Sequence, residues 1–356
     1  MLEANSSQAM HPPTQGPKPP RVSVVRAEDD VRAAVAKAME LSGWKDFIAR
    51  GSRVLLKVNL GWDLFLPGSV TSPLVTEGVA TVLKDHVGDI IVADADQVLA
   101  NVDKAFDVSG MGRMCERAGL RWMNLSKDEF HEINNPGALV LKKLSLPKIL
   151  AEVEIVSVPV MKTHAKTVMS GAIKNLWGCL PLSRHELHLV VNSALADLLR
   201  ALKPKFSVVD ATICLEGNGP KSGKPREVGL VMASADPVAI DSVQAKVMGF
   251  EPLSIPHLKL CSEMGLGTED LSKIEIVGED IGSMNLDFRR ARHNIVSQME
   301  TIFRGSAAEW LIFRTPVFRA CCFSAQIWYL LWYHVGPGKR LKNGVVYGTR
   351  YGQQWR

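Results

Sequence analysis

Short apolar runs typical of β-strands alternate along this chain with longer runs whose apolar positions recur at helical spacing. Strands are predicted over 21–25, 53–60 and 89–93, and helices over 28–41 and 73–85 lie between them. Strands and helices that alternate in this way form a mostly parallel sheet with helices packed on it. The pattern therefore predicts an α/β fold.

The same alternation returns later in the chain. The further predicted elements are strands over 120–124, 138–144, 155–160, 206–212, 228–233 and 273–277 and helices over 191–202 and 237–248. The last helix has a clear start, because Asp236 can cap it and Pro237 suits its first turn. We therefore predict two α/β lobes, over 21–150 and 151–290, with mostly parallel sheets flanked by helices and a cleft at the carboxyl ends of the strands.

The two ends of the chain differ from this pattern. Residues 1–20 are rich in Pro, Gln and Ser, which predicts a disordered leader. Residues 291–356 form an aromatic-rich C-terminal segment, whose uninterrupted apolar runs are shorter than the ~20 residues that a membrane-spanning helix needs. Two hypotheses stay open for its densest part, 308–335: peripheral contact with a membrane, or packing on protein, which is the body of this chain, a second copy in a homo-oligomer or another partner.

The composition is ordinary for a globular protein, with 46% hydrophobic and 22% charged residues among 356 and a net charge of +5. The Lys and Arg residues are scattered, so nucleic-acid binding is not expected. The six cysteines include no CxxC pair. They indicate reduced thiols in a cytoplasmic protein, and no intrinsic iron–sulfur cluster is expected.

The most informative stretch is 158–181, where a buried strand leads into polar side chains suited to chemistry. In chain order these are Lys162, His164, Ser170, Lys174 and Asn175. The polar residues at the ends of three other predicted strands are Lys57 with Asn59, Asp94 with Asp96, and Asp210. Because the carboxyl ends of parallel strands meet at one edge of a sheet, we expect these side chains to line a common cleft.

Three residues are predicted to be catalytic: His164, Lys174 and Asp210. His164 is the natural general base or metal ligand, because the unperturbed pKa of histidine lies near neutrality. The predicted substrate-binding residues suit a small carboxylate or phosphate, and they are Lys57, Asn59, Lys162, Ser170, Asn175 and Asn218. A helix that starts after Ser170 would aim free backbone N–H groups at such an anion. For Asp241, a ligand-facing and a structural role both stay open.

A divalent metal is an open alternative in the same cleft. His185 and His188 lie three residues apart, so a helix would place both on one face. The predicted ligand set is His164, His185, His188 and Glu216. The segment 184–188 is one residue short of the HExxH pattern, which argues against a zinc protease.

Five ordered segments carry a resemblance to a known family: KVNLG at 57–61, VPVMKTH at 158–164, SGAIKNLWG at 170–178, VVDATICLEGNGP at 208–220 and ADPVAIDSV at 235–243. Together they resemble the domain-of-unknown-function-362 family over about 21–279. The resemblance implies an α/β fold with a cleft, but no common activity. Many members carry a ferredoxin-type iron–sulfur module after this domain, and the present chain has no cysteine run of that kind.

A shorter resemblance rests on one motif. The spacing of His164, Ser170-Gly171 and Lys174 is similar to that in nickel-pincer lactate racemase-type enzymes. This similarity implies that His164 moves the substrate proton and that Lys174 anchors a cofactor.

The leading functional hypothesis is an isomerase- or lyase-like enzyme that acts on a small anionic substrate by acid/base proton transfer, with or without a metal. Isomerisation, epimerisation and elimination all fit that description. Hydride transfer fits less well, because the chain has no dinucleotide fingerprint. Two alternatives stay open: a non-catalytic accessory or metal- and cofactor-handling module that docks through the aromatic C-terminal segment, and a redox enzyme with an external cofactor.

Overall fold

The computed structural model describes residues 18–64, 66–98 and 100–291, together with six isolated positions between 316 and 328. The predicted leader therefore lies outside the described residues except for 18–20. The aromatic C-terminal segment also lies outside the described residues, except for residue 291 and the six positions between 316 and 328. No helix in the described ranges is long and apolar enough to cross a membrane.

Twelve strands and eight α-helices occur in the described part of the chain. The strands are β1 (Arg21–Arg26), β2 (Arg53–Val58), β3 (Asp89–Asp94), β4 (Arg121–Asn124), β5 (Phe130–Asn134), β6 (Lys143–Pro147), β7 (Glu154–Val158), β8 (Val160–His164), β9 (Val168–Ser170), β10 (Phe206–Glu216), β11 (Lys224–Ser234) and β12 (Glu275–Gly278). The helices are α1 (Val31–Leu41), α2 (Pro73–Leu83), α3 (Val102–Val108), α4 (Met111–Ala118), α5 (Ala172–Asn175), α6 (Val191–Leu202), α7 (Pro237–Met248) and α8 (Pro256–Glu263).

Ten of the strands form one sheet. Its main path runs β12-β1-β11-β10-β7-β2-β3-β4, with β8 attached to β10 and β9 attached to β8. Along the main path β11 is antiparallel to both of its neighbours, and the other pairs are parallel. Strands β5 and β6 form a separate antiparallel pair. The predicted α/β class with a mostly parallel sheet is confirmed.

The strands before and after residue 151 belong to this one sheet rather than to two, because β7 pairs with β2 on one side and with β10 on the other. Instead, the helices from the two halves of the chain cover opposite faces of this sheet. Helices α1–α4 cover one face through a core that includes Val35 and Met114, and α5–α8 cover the other through Ile173 and Leu195. Alternating elements indicate a covered sheet, but they do not tell which strand each new strand joins.

Both helices predicted in the second half, α6 and α7, begin and end at the predicted residues. The start of α7 also has the expected cap, since the Asp236 carboxylate accepts hydrogen bonds from the backbone N–H groups of Val238 and Ala239 at 2.8 and 3.0 Å. Pro237 occupies the first turn. Local sequence chemistry is therefore enough to locate this helix.

The strand predicted over 138–144 is wrong for residues 138–142, which form a loop before β6. The buried carboxylate of Asp197, on α6, accepts hydrogen bonds from the backbone N–H groups of Leu139, Val140 and Leu141 at 2.7–2.8 Å. These N–H groups are thereby satisfied without a neighbouring strand. A contact between residues nearly sixty positions apart overrides the local apolar pattern.

Candidate functional site

A cavity of about 190 Å³ lies at the carboxyl ends of β2 and β3, with β8, β9, α5 and the β10–β11 loop also contributing to its walls. Ten of the twelve predicted site residues line it: Lys57, Asn59, Lys162, His164, Ser170, Lys174, Asn175, His185, His188 and Asn218. Asp210 and Glu216 do not line it. The predicted cleft at the strand ends is therefore present and collects most of the predicted polar residues.

Lys162 and His164 lie within a strand rather than beyond its end. Pro159 separates β7 from β8, and its carbonyl oxygen accepts a hydrogen bond from the backbone N–H of Asp210 at 2.8 Å. Strand β8 then pairs with β10 and turns back into β9, which sets Lys162 opposite Ser170. This short hairpin forms one wall of the cavity.

Lys57 and Asp94 form a buried ion pair between the ends of the neighbouring strands β2 and β3. The Lys57 Nζ and Asp94 Oδ1 atoms are 2.6 Å apart, and both side chains are at most 2% exposed. Lys57 also donates to the backbone oxygen of Val58, and Asp94 accepts from the backbone N–H of Leu60. Lys57, predicted to bind substrate, is thus already bound to a carboxylate of the protein.

The Lys57–Asp94 pair also explains why residue 178, in the family segment 170–178, is a glycine. A Cβ atom at Gly178 would lie 2.8 Å from Asp94 Oδ1 and 2.9 Å from Lys57 Nζ, closer than such atoms approach. Asn175 completes this wall, because its side-chain amide donates to the backbone oxygen of Lys57 at 2.6 Å. The predicted substrate-binding role of Asn175 competes with these contacts, and the amide positions β2 against α5.

Lys162 is held by the opposite loop. Its Nζ donates to the side-chain oxygen of Asn59 and to the backbone oxygen of Ser69, both at 2.6 Å. Burial lowers the pKa of Lys162 to about 7, and although Asp94 opposes this effect, repulsion from Lys221 and Lys57 adds to it. Lys162 is therefore an ammonium that changes charge near neutral pH.

Lys174 meets an aromatic ring instead of an acceptor. Its Nζ lies 5.2 Å from the centroid of the Trp177 ring, and it makes no hydrogen bond or ion pair with another residue in the described ranges. Burial lowers the pKa of Lys174 to about 7, with further contributions from Arg184 and Lys162. Part of the side chain remains exposed, and the residue lines the cavity.

The start of α5 is occupied by a carboxylate of the protein itself. The Asp241 side chain, on α7, accepts hydrogen bonds from the backbone N–H groups of Ala172 at 2.6 Å and Ile173 at 3.0 Å. A Cβ atom at Gly171 would lie 2.2 Å from Asp241 Oδ1, so glycine is needed for this approach. The expectation that these N–H groups face a substrate anion is wrong, and Asp241 has the structural role.

Asp241 does not act alone on this turn. Gln244, three residues later on α7, donates from its side chain to the backbone oxygen of Ser170 at 2.8 Å. The two side chains therefore hold both sides of the turn that precedes Lys174. Burial raises the pKa of Asp241 to about 7, although the two N–H contacts oppose the shift.

The hydrogen bonds of His164 determine where its ring carries a proton. Its Nδ1 atom accepts a hydrogen bond from the backbone N–H of Lys166 at 3.0 Å, and a backbone N–H can only donate. Burial holds the pKa of His164 well below its usual value, and repulsion from Lys174 contributes. The neutral ring therefore carries its proton on Nε2 and offers a donor, which contrasts with the general base expected from the sequence.

His188 has the opposite arrangement. Its Nδ1 atom lies 2.9 Å from the backbone oxygen of His185, which can only accept, so Nδ1 carries the proton. Burial lowers the pKa of His188 to about 3, and repulsion from Lys166 and Lys174 adds to this. The ring is neutral, and its Nε2 atom has a free lone pair with no partner among the described residues. The cavity therefore has one imidazole that donates and one that accepts.

Two predicted site residues serve other contacts. The Asp210 carboxylate accepts from the backbone N–H groups of Ser72 and Thr212 and from the Thr212 hydroxyl at 2.6–3.0 Å, which places it in the fold rather than in the catalytic set. Glu216 pairs with Arg226 at 2.9 Å. Three of the four predicted metal ligands, His164, His185 and His188, line the cavity, and Glu216 does not. The described residues contain no group of three or more His, Cys, Asp or Glu side chains placed to hold a metal.

Several residues of the site were not in the predicted catalytic, substrate-binding or metal sets, although Asp94 was expected to line the cleft. Asp94 is the one carboxylate among the described residues that line the cavity, whereas its lining lysines are Lys57, Lys162, Lys166, Lys174 and Lys221. Trp177 and Gly178 also line the cavity. Both lie in the family segment 170–178, and that resemblance is the sequence feature that indicates them. Nothing in the local sequence indicates that Arg184 is buried, with its guanidinium donating to the backbone oxygen atoms of Leu180 and Asp96.

Comparisons with known proteins agree with the segment resemblance. A family model described as domain of unknown function (DUF362) matches residues 54–246. A thylakoid-associated protein from Synechocystis is 30% identical over 251 residues, which cover 64% of this chain and 72% of that protein.

Two solved structures also match, each with a TM-score of 0.35. A Thermotoga maritima protein shares 12% identity over 65% of this chain and 58% of its own, and the lactate racemase apoprotein from Thermoanaerobacterium thermosaccharolyticum shares 13% over 68% and 56%. This chain thus spans less than two thirds of either solved chain. With more than half of its length matched by the family model, the chain belongs to the domain-of-unknown-function-362 family.

Proposed function

We propose that this protein is an enzyme that binds a small carboxylate or phosphate in the cavity and transfers a proton on it. The observation that carries the proposal is that Lys162 and Lys174 line one cavity and pair with no carboxylate in the described ranges, while Asp94, the carboxylate in the described lining, is already paired with Lys57. An anion is the ligand that offsets such an excess of positive charge. Buried cations that change charge near neutrality are also typical of acid/base sites.

The proposed roles follow from the contacts. Lys162 attracts the anionic group, and His164 donates a hydrogen bond to it from Nε2. Lys174 exchanges the proton, because its pKa of about 7 lies near the operating pH, where acid/base catalysis is most effective. Asn59, Ser170 and Asn218 are retained as polar contacts to the substrate, since all three line the cavity.

Anion binding is the first test. Isothermal titration of the full chain with acetate, pyruvate and inorganic phosphate should detect at least one of them, and raising the salt concentration should weaken binding. Lys162→Met should lose that binding, whereas Lys246→Met, which changes an exposed lysine on α7, should keep it. Equal binding by both variants would contradict the proposed anion site.

Proton transfer can be tested without knowing the net reaction. Small carboxylic acids incubated with the protein in D₂O should exchange a carbon-bound proton, which NMR detects. Lys174→Met should abolish the exchange. His164→Gln, whose amide can donate from a position near Nε2, should retain more exchange than His164→Asn, whose oxygen resembles only Nδ1. The reverse order would show that His164 acts as a base.

A second proposal concerns location. Peripheral membrane association through 308–335 is favoured by one observation, the thylakoid association in the name of the Synechocystis relative. Sedimentation with anionic vesicles should then be lost when 308–335 is deleted, while the anion binding of the cavity remains. Vesicle binding that survives the deletion would refute this role, and a change of oligomeric state on deletion would favour a protein partner.

A further inference from the structure

The contacts of the Lys174 amine differ in kind from those of Lys57 and Lys162. Lys57 is bound to the Asp94 carboxylate, and Lys162 donates to two oxygen atoms at 2.6 Å. Lys174 contacts the Trp177 ring and is surrounded by cations. An amine next to other cations, without an acid partner, has a lowered pKa and is therefore neutral and nucleophilic in a larger fraction of molecules than an ordinary lysine.

Side chains of α7 also hold the backbone around Lys174 in place. It lies in the four-residue helix α5, whose first N–H groups are held by Asp241 and whose preceding turn is held by Gln244. The amine therefore extends from a fixed backbone into the cavity. Such fixed placement favours a covalent step, because the reacting atoms need no further ordering.

The two imidazoles near Lys174 complement it. His164, Lys174 and His188 all line the same cavity, and repulsion by Lys174 contributes to the lowered pKa of both histidines. His164 offers an Nε2–H donor, and His188 offers a free lone pair on Nε2. A donor for a carbonyl oxygen and an acceptor for an amine proton are the two partners that addition of an amine to a carbonyl group requires.

We propose that Lys174 forms an imine with a small 2-oxo carboxylate. This inference rests on the proposed function, because the carboxylate would occupy the anion site at Lys162. The ketone carbon would then lie next to Lys174. A cavity of about 190 Å³ suits an acid of this size.

The step balances without an oxidant or a reductant. The neutral amine attacks the carbonyl carbon, whose oxygen accepts a hydrogen bond from His164 Nε2–H. One amine proton passes through His188 Nε2 to that oxygen, which gives a carbinolamine. The second amine proton leaves with the oxygen as water, and a carbon–nitrogen double bond remains. When the imine nitrogen takes up a proton from water, the neighbouring C–H becomes more acidic, which connects this step to the proposed proton transfer.

The test is reductive trapping on the full chain. Pyruvate and cyanoborohydride should add one reduced pyruvate per chain, and peptide mass mapping should place it on Lys174. Lys174 should react at least about tenfold faster than the exposed Lys246 at neutral pH, because a pKa of about 7 leaves far more neutral amine than an ordinary lysine has. Lys174→Met and Lys174→Arg should lose this label, and Lys246→Met should keep it.

The outcomes separate the two proposals. Isothermal titration with pyruvate in the absence of reductant measures anion binding by itself. Pyruvate that binds but is not trapped on Lys174, or is trapped equally on Lys246, would overturn the imine and leave the anion site standing. An absence of binding by every carboxylate and phosphate tested would overturn both. Thermal unfolding of the two Lys174 variants shows whether each is folded, and Lys174→Arg keeps the positive charge if Lys174→Met is not.

Discussion

Two walls of the same cavity each carry a lysine, and the two lysines have different partners. The Lys57 wall consists of Lys57, Asp94 and Asn175, in which the ammonium and the carboxylate are 2.6 Å apart. The Lys174 wall consists of Lys174, Trp177 and His188, in which the amine lies over a ring. Burial of a charge is offset either by a partner of opposite charge or by a pKa shift that favours the neutral form. The first wall shows the first solution, and the second wall shows the second.

This difference indicates which of the two lysines is available to react with a ligand. The hydrogen bonds of Lys57 and Asp94 join the ends of β2 and β3, so the pair holds the sheet edge in shape. The Lys174 amine joins no two elements in the part of the chain that the structure describes. A lysine whose amine makes no structural hydrogen bond or ion pair is available to a ligand.

The largest effect is expected from breaking the pair in the Lys57 wall. Lys57→Met leaves the Asp94 carboxylate buried without its cation, which should lower the free energy of unfolding by about 3–5 kcal/mol. Lys174→Met replaces an unpaired amine by an apolar chain of similar length and should change it by less than about 1.5 kcal/mol. Urea denaturation at pH 7.5 measures both. Equal losses would show that the two walls do not differ in this way.

The next effect concerns the support of the Lys174 wall. Asp241→Ala leaves the N–H groups of Ala172 and Ile173 without their acceptor and should cost about 1–3 kcal/mol. It should also slow the trapping of pyruvate on Lys174, because α5 loses its anchor. Ser242→Ala is the matched control, since its hydroxyl bonds only within α7, to Val238. A stability loss with unchanged trapping would show that Asp241 serves the fold alone.

These contrasts also show what could be read from the sequence. Apolar periodicity and the Asp236-Pro237 signal were enough for α7, because caps act within a few residues. The polar ends of β2 and β3 were enough to locate the cavity, because parallel strands end at one edge. A single sheet could not be recognised, since the pairing of β7 with both β2 and β10 is not a local property.

The roles within the site were harder to predict than its residues. His164 was expected to be a base, and the backbone N–H of Lys166 occupies the nitrogen that a base would use. The N–H groups at the start of α5 were expected to meet a ligand, and Asp241, about seventy residues later, meets them instead. Residue type indicates what a side chain can do. Its partners decide what it does, and here they come from distant parts of the chain.

A pH effect should distinguish the walls further. The pKa of Lys174 in the folded protein is about 7, below its ordinary value of 10.5, so the folded state binds fewer protons between these values than the unfolded state. The stabilising contribution is therefore present at high pH and is lost as the pH falls through 7. Between pH 7 and 9, wild type should gain up to about 1.4 kcal/mol per pH unit relative to Lys174→Met.

Urea denaturation of both proteins at half-unit pH intervals measures this difference. Lys162 contributes a slope of the same sign in both proteins, because its pKa is also about 7, and it cancels in the comparison. Lys246→Met should follow wild type at each pH. Parallel curves for wild type and Lys174→Met would mean that Lys174 has an ordinary pKa in the folded protein, and the contrast with Lys57 would then be lost.

The smallest effect should come from the ring in the Lys174 wall. The Trp177 ring favours the charged form of Lys174 by about 0.5–1 kcal/mol, and phenylalanine retains part of that attraction. Trp177→Phe should therefore move the midpoint of the pH profile for pyruvate trapping to lower pH by less than about half a pH unit. The indole nitrogen is buried without a hydrogen-bond partner in the described ranges, so its removal leaves no acceptor unsatisfied. A midpoint that moves upward would show that the ring excludes water from Lys174 more than it attracts the ammonium, and burial would then be its main contribution to this wall.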